Sequence, residues 1–138
     1  MANHKLTIDV IWTGKNFCCF WSDDDAGTVF AMAKTLSKLK KDFAESLKWH
    51  IEGCVADGDT LPEYLLVGDY ELEYNLDTAA LLRDAETYTT LAAISRASGI
   101  NQKQLSHYAN GIKHPRPNQR ARIIAGLHII AAQIMALC

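Results

Sequence analysis

Residues 91–111, LAAISRASGINQKQLSHYANG, constrain this chain more than any other stretch. Leu91 and Ile94 fall three apart on one helical face, and Thr90 just before them is a good helix N-cap. Gly99 follows, where a helix end favours a left-handed residue. Asn101 starts a second helix, and Gln104 three residues on completes a capping-box-like pair. Gly111 closes this helix as Gly99 closes the first. Leu105, Tyr108 and Ala109 form its inward stripe, leaving Gln102, Lys103, Ser106, His107 and Asn110 outside. The small Ser95, four residues before Gly99, lets the helices approach, and Leu105, six after it, plugs the second helix into a core. One helix that braces and one that offers hydrogen-bonding side chains is the arrangement that reads base edges.

Together with the following KHPRPNQRARIIAGL, this stretch resembles the Cro/phage-repressor type of helix-turn-helix. On that reading Gln102 and Lys103 occupy the first turn of the recognition helix, nearest the bases. Gln pairs bidentately with adenine, and Lys reaches guanine acceptors. Ser106 and His107 continue the contact along the groove, while Asn110 meets either backbone or solvent. Lys113 and Arg116 flank the turn and hold phosphates, which orients the protein without reading sequence. Leu91 departs from the pattern, because many relatives carry a glutamine near the start of that helix to brace a phosphate contact.

The charge is divided along the chain. The formal net charge is −2, yet the 52 residues from 87 to 138 contain no Asp or Glu. Arg96, Lys103, Lys113, Arg116, Arg120 and Arg122 give that segment +6, so residues 1–86 carry −8. A basic C-terminal half behind an acidic N-terminal half suits a nucleic-acid binder joined to a partner or sensor module. The acidic module would attract a basic partner. At 138 residues and 49% hydrophobic, the chain is globular and large enough for one domain or two small ones.

The cysteines, Cys18, Cys19, Cys54 and Cys138, form no C-x-x-C pair. They read as small buried apolar residues or free thiols in a reducing compartment, with no zinc site. No charged segment followed by an apolar core opens the chain, so no secretory signal is expected and the location is cytoplasmic. The apolar run 123–138 is 16 residues long and contains His128 and Gln133. A membrane span needs about 20 apolar residues, so none is expected.

The N-terminal half reads as strand, strand, strand, helix, strand. Leu6, Ile8, Val10 and Trp12 alternate with Thr7, Asp9 and Ile11. Residues 16–22 and 28–33 give two further strands of an antiparallel meander. The period then changes: Leu39, Phe43, Leu47 and Ile51 mark an amphipathic helix capped by Thr35 and stopped at Gly53. Residues 60–63 open a capped short helix that ends near Gly68, and a fourth strand at 70–76 turns Tyr70, Leu72, Tyr74 and Leu76 inward. Asp77 caps a helix over 78–86, so the expected domains are 1–76 and 77–138. The last helix starts at Pro117 and runs to about residue 137, with one stripe of Ile123, Leu127, Ile130, Ile134 and Leu137. Ile124, Ala131 and Met135 make a second stripe, so this helix is expected to pack against its own domain and against a second copy in a homodimer.

An acidic α+β module followed by an all-α helix-turn-helix domain resembles the HicB family of antitoxins. The likeness is carried by LTIDVIW, NFCCFWSDDDAG, KTLSKLKKDFAESLKWHIEG, DYELEYNLD and GINQKQLSHYANGIKHPRP, and spans nearly all of residues 5–137. It implies a partial RNase H-like N-terminal domain that neutralises a small basic HicA-type toxin, an mRNA-cleaving ribonuclease. It also implies a C-terminal domain that represses the operon by binding double-stranded operator DNA. No catalysis and no cofactor are expected of the chain itself. Two-metal hydrolysis needs several converging carboxylates. Asp9 with Glu45 or Glu52 supplies at most two, and Asp23, Asp24 and Asp25 sit on a turn. His50 lies beside the helix's core stripe and reads as structural. A stand-alone transcription regulator and an RNA-binding or nucleolytic protein are the competing readings.

Overall fold

The computed structural model describes residues 4–138 and divides into two compact units, Met1–Asp77 and Thr78–Cys138. The class is α+β. The first unit runs β1 (His4–Trp12), β2 (Phe17–Asp23), β3 (Gly27–Ala33), α1 (Leu36–Ala56), α2 (Glu63–Leu66) and β4 (Tyr70–Leu76). Its sheet has the order β3-β2-β1-β4. The first three strands form the antiparallel meander, whereas β4 returns to lie parallel to β1. The sheet is therefore mixed, and the connection through α1 supplies the crossover that a parallel pair requires.

Alternation sorts the strand residues into two faces. Leu6, Ile8 and Val10 of β1, Cys19 and Trp21 of β2, and Val29, Ala31 and Ala33 of β3 are buried. The small Ala31 and Ala33 lie on that inner face, where α1 packs against β3 and β2. Leu39, Phe43, Leu47 and Ile51 form the buried stripe of α1. Thr35 caps it, its hydroxyl accepting from the Lys38 amide at 3.2 Å. Tyr74 of β4 meets Phe43 edge-on at 6.3 Å and donates its hydroxyl to the Lys40 carbonyl at 3.3 Å. Burial pushes the Cys19 thiol up to about 11 and the Tyr74 phenol up to about 12, because each anion would lose its water.

The helix does not stop at Gly53. It continues to Ala56, and the left-handed turn falls at Gly58, where φ is +80°. A glycine inside a helix costs about 1 kcal/mol against alanine, which the packed stripe on either side absorbs.

The second unit runs α3 (Thr78–Ala85), α4 (Leu91–Ser98), α5 (Gln102–Ala109) and α6 (Pro117–Met135). Its core gathers Leu82 and Ala85 from α3, Ile94 from α4, Leu105, Tyr108 and Ala109 from α5, and Ile123 from α6. Ile100, in the turn between α4 and α5, is buried with them. At the α4–α6 crossing Gly126 comes so close to Ser98 that a Cβ there would stand 3.0–3.2 Å from Ser98 atoms. The last helix ends at Met135, and only Ile123 and Gly126 of it are fully buried. No helix among the described residues is long and apolar enough to cross a membrane.

Candidate nucleic-acid interface

The α4–α5 pair is built by caps. The Thr90 hydroxyl accepts from the Ala93 amide at 3.0 Å, and Gly99 ends α4 in the left-handed region at φ +75°. The Asn101 side chain then accepts from the Gln104 amide at 2.8 Å and starts α5. The Ser95 hydroxyl donates to the Ile100 carbonyl at 2.6 Å, which ties the turn back onto α4. Three residues thus separate the helices, and Ile100 anchors them. Gln104 does not reach back to close a capping box. Its amide donates instead to the Tyr108 hydroxyl at 2.8 Å, because that buried phenol needs a partner and lies one turn away.

The residues singled out along α5 fall into distinct groups. Gln102 and Lys103, in the first turn, are exposed. Ser106 and His107, one turn on, are half-buried, and His107 Nδ1 is enclosed with no hydrogen-bond partner among the described residues. Asn110 caps the helix end and is engaged on both sides. It accepts from Arg83 at 3.2 Å and donates to the Ser106 hydroxyl at 3.3 Å. It links α3 to α5 while remaining exposed to solvent. Gln102 and Lys103 are thus the exposed polar residues within α5, with Asn110 exposed at its C-terminal cap.

Lys113 and Arg116 are exposed in the loop before α6. They line a cleft of about 500 Å³ together with Gln104, Tyr108, Ile112, His114 and Gln119. Gln119 and His114 were not marked by the motif, and the signal for them is adjacency to Lys113 and Arg116 in the chain, whereas Gln104 was read only as a capping residue. Pro117 sits at the first position of α6, and Arg116 precedes it as N-cap with no side-chain cap bond. The start of α6, bounded by Arg116 and Gln119, adds the positive end of a helix dipole to this cleft. Two other basic residues of the same segment are tied to the unit by hydrogen bonds, Arg120 half-buried and Arg122 exposed. Arg120 donates to the Thr78 hydroxyl at 2.8 Å, and Arg122 donates to Gln119 at 2.8 Å and to the Ser98 carbonyl at 3.2 Å. The second bond of Arg122 satisfies an open carbonyl at the end of α4.

In the first unit, the carboxylates weighed for two-metal chemistry are separated. Asp9 alternates with the buried Ile8 and Val10 on β1, so it lies on the outer face of the sheet, where it accepts from Asn75 at 3.1 Å. Glu45 and Glu52 are exposed on α1, which covers the other face. No group of three His, Cys, Asp or Glu among the described residues is placed to hold a metal ion. His50 contacts the Ala26 carbonyl and stands 3.7 Å from the Cys54 thiol. Comparison with family models, with curated proteins and with solved structures gives no match for this chain.

Proposed function

We propose that this protein is a HicB-like antitoxin and transcriptional repressor that binds operator DNA through α5 and a small basic HicA-type toxin through its N-terminal unit. The observation that carries the DNA-binding half is the capped, exposed first turn of α5 beside the Lys113/Arg116 cleft. In this reading α4 braces and α5 enters the major groove N-terminus first. Gln102 pairs with an adenine edge, and Lys103 reaches guanine O6 or N7. Lys113, Arg116 and the start of α6 hold the flanking phosphates and fix the register. Two copies joined through α6 would place two α5 helices on half-sites about 34–36 Å apart. The protein is a binder rather than an enzyme and works in the cytoplasm, where its operon lies.

The test is a hydroxyl-radical footprint of the full chain on the DNA upstream of its own gene. The reading expects two protected patches one helical turn apart, about 10–10.5 base pairs centre to centre. Gln102→Ala/Lys103→Ala should erase the pattern while the circular dichroism spectrum stays that of the parent, since both side chains are exposed. An unprotected upstream region would remove the repressor reading.

A further inference from the structure

The outer face of the first unit's sheet has no role in its core and carries an organised surface. Register places its residues in rows across the strands. One row holds Ile11, Cys18 and Met32, and the next holds Asn75, Asp9, Phe20 and Phe30. Thr7 and Glu73 follow, then Lys5 and Glu71. Four large apolar side chains in the first two rows face outward: Phe30 is 69% exposed, Met32 54%, Phe20 41% and Ile11 37%. An outward aromatic and thioether cluster on adjacent strands is a recognition surface in form, because scattered single residues, not contiguous ones, are the norm on a sheet's wet side.

Charge selects the occupant. Asp9 lies within the cluster's own row, Glu73 one row on and Glu71 two rows on along β4; Asp23 ends β2, and Asp24 and Asp25 form the turn beyond Phe20 and Phe30, while at the Met32 end Lys34 donates to the Lys15 carbonyl. Lys5 is the one cation in the rows named, 3.6 Å from Glu73 and 4.0 Å from Glu71. Residues 1–77 as a whole carry fourteen carboxylates against seven lysines. Such a field repels nucleic acid and an anionic membrane, and it sets two copies of this face against each other. It attracts a cationic protein surface, and the aromatic cluster gives that surface something apolar to bury.

We infer that the outer sheet face around Phe20, Phe30 and Met32 is the docking surface for a basic protein that presents an apolar patch ringed by lysine or arginine. The inference deepens the two-partner reading above and rests on its protein-binding half alone. The four phenylalanines give a direct readout, since Phe20 and Phe30 are exposed while Phe17 and Phe43 are buried. The full chain labelled with 4-fluorophenylalanine is titrated with an 18-residue amphipathic leucine/lysine peptide and with its leucine/glutamate counterpart. Fluorine resonances of Phe20 and Phe30 should move with the lysine peptide only. Phe30→Ser/Met32→Ser should weaken binding about tenfold or more, and Glu71→Lys/Glu73→Lys should weaken it by a similar factor. The Phe30→Ser/Met32→Ser chain should still bind DNA as the parent does, because α5 is untouched. Unmoved Phe20 and Phe30 signals with DNA binding intact overturn this inference and leave the repressor reading standing. Moved signals in a protein that fails to bind DNA uphold the inference and sink the repressor reading. Equal binding of both peptides overturns it, as does a dimer by light scattering that Phe30→Ser/Met32→Ser dissolves, since the face would then belong to a second copy.

Discussion

The cations of the C-terminal segment divide by what each side chain touches. Arg122 bonds the last turn of α4 and Arg120 bonds Thr78, whereas Lys103, Lys113 and Arg116 are exposed and carry no such bond among the described residues. Arg122→Ala should therefore lower folding stability by about 1 kcal/mol, the worth of a capping hydrogen bond, as read in urea unfolding. Lys113→Ala should leave that curve in place and weaken DNA binding instead. The same reasoning gives a pH dependence in the first unit. Burial raises the Cys19 thiol from its ordinary value of 9.0 to about 11, so the unfolded chain ionises first. Stability from this group is complete below about pH 9 and falls as pH rises toward 11, by roughly 2 kcal/mol. Cys19→Ala should flatten that alkaline limb in denaturant melts at pH 8, 9, 10 and 11. An unchanged slope would mean that the thiol is not the titrating group.

At the level of elements, the α4–α6 crossing depends on the missing side chain at Gly126. Alanine there would gain helix propensity but set a Cβ against Ser98 backbone, and Gly126→Val forces the helices apart. A loss of about 2 kcal/mol is expected in thermal or urea melts. Beyond that crossing α6 has little to pack on. Ile129, Ile134, Met135 and Leu137 are exposed, and a groove of about 330 Å³ between α3 and α6 is lined by Leu81, Tyr88, Leu127, Ile130 and Ile134. If α6 joins two copies, Ile134→Asp/Leu137→Asp should give a monomer by light scattering at micromolar concentration and bind DNA about tenfold or more weakly. The elements themselves were largely legible: steps of three and four marked α1, alternation marked the strand faces, and Thr90, Gly99 and Asn101 marked the α4–α5 turn. Alternation tells which face a residue takes but not which way its strand runs, so the parallel pairing of β4 with β1 could not be read. Gly53 misled because an isolated glycine is tolerated inside a helix, and only backbone angles distinguish it from Gly58. Gln104 has two turn-related partners within reach, Asn101 and Tyr108, and spacing does not rank them. The bond of Asn110 to Arg83 joins residues 27 apart, which no local pattern encodes.

The whole molecule separates its charge between two units, an acidic sheet with an outward aromatic cluster and a basic helical unit with an exposed polar first turn on α5. Such a division fits a protein that holds a basic partner with one unit and DNA with the other. In the proposed function the second unit reads sequence through the first turn of α5 and grips phosphate through the adjoining loop. Fluorescence anisotropy on a labelled upstream duplex and on a scrambled duplex, each at several salt concentrations, tests it most directly. Saturable binding that prefers the upstream duplex by about a thousandfold is expected. Gln102→Ala/Lys103→Ala should collapse that preference. Lys113→Ala/Arg116→Ala should weaken both duplexes alike and reduce the salt slope by about 2. Equal binding to both duplexes that is gone by about 0.2 M salt, or no binding at all, would contradict it.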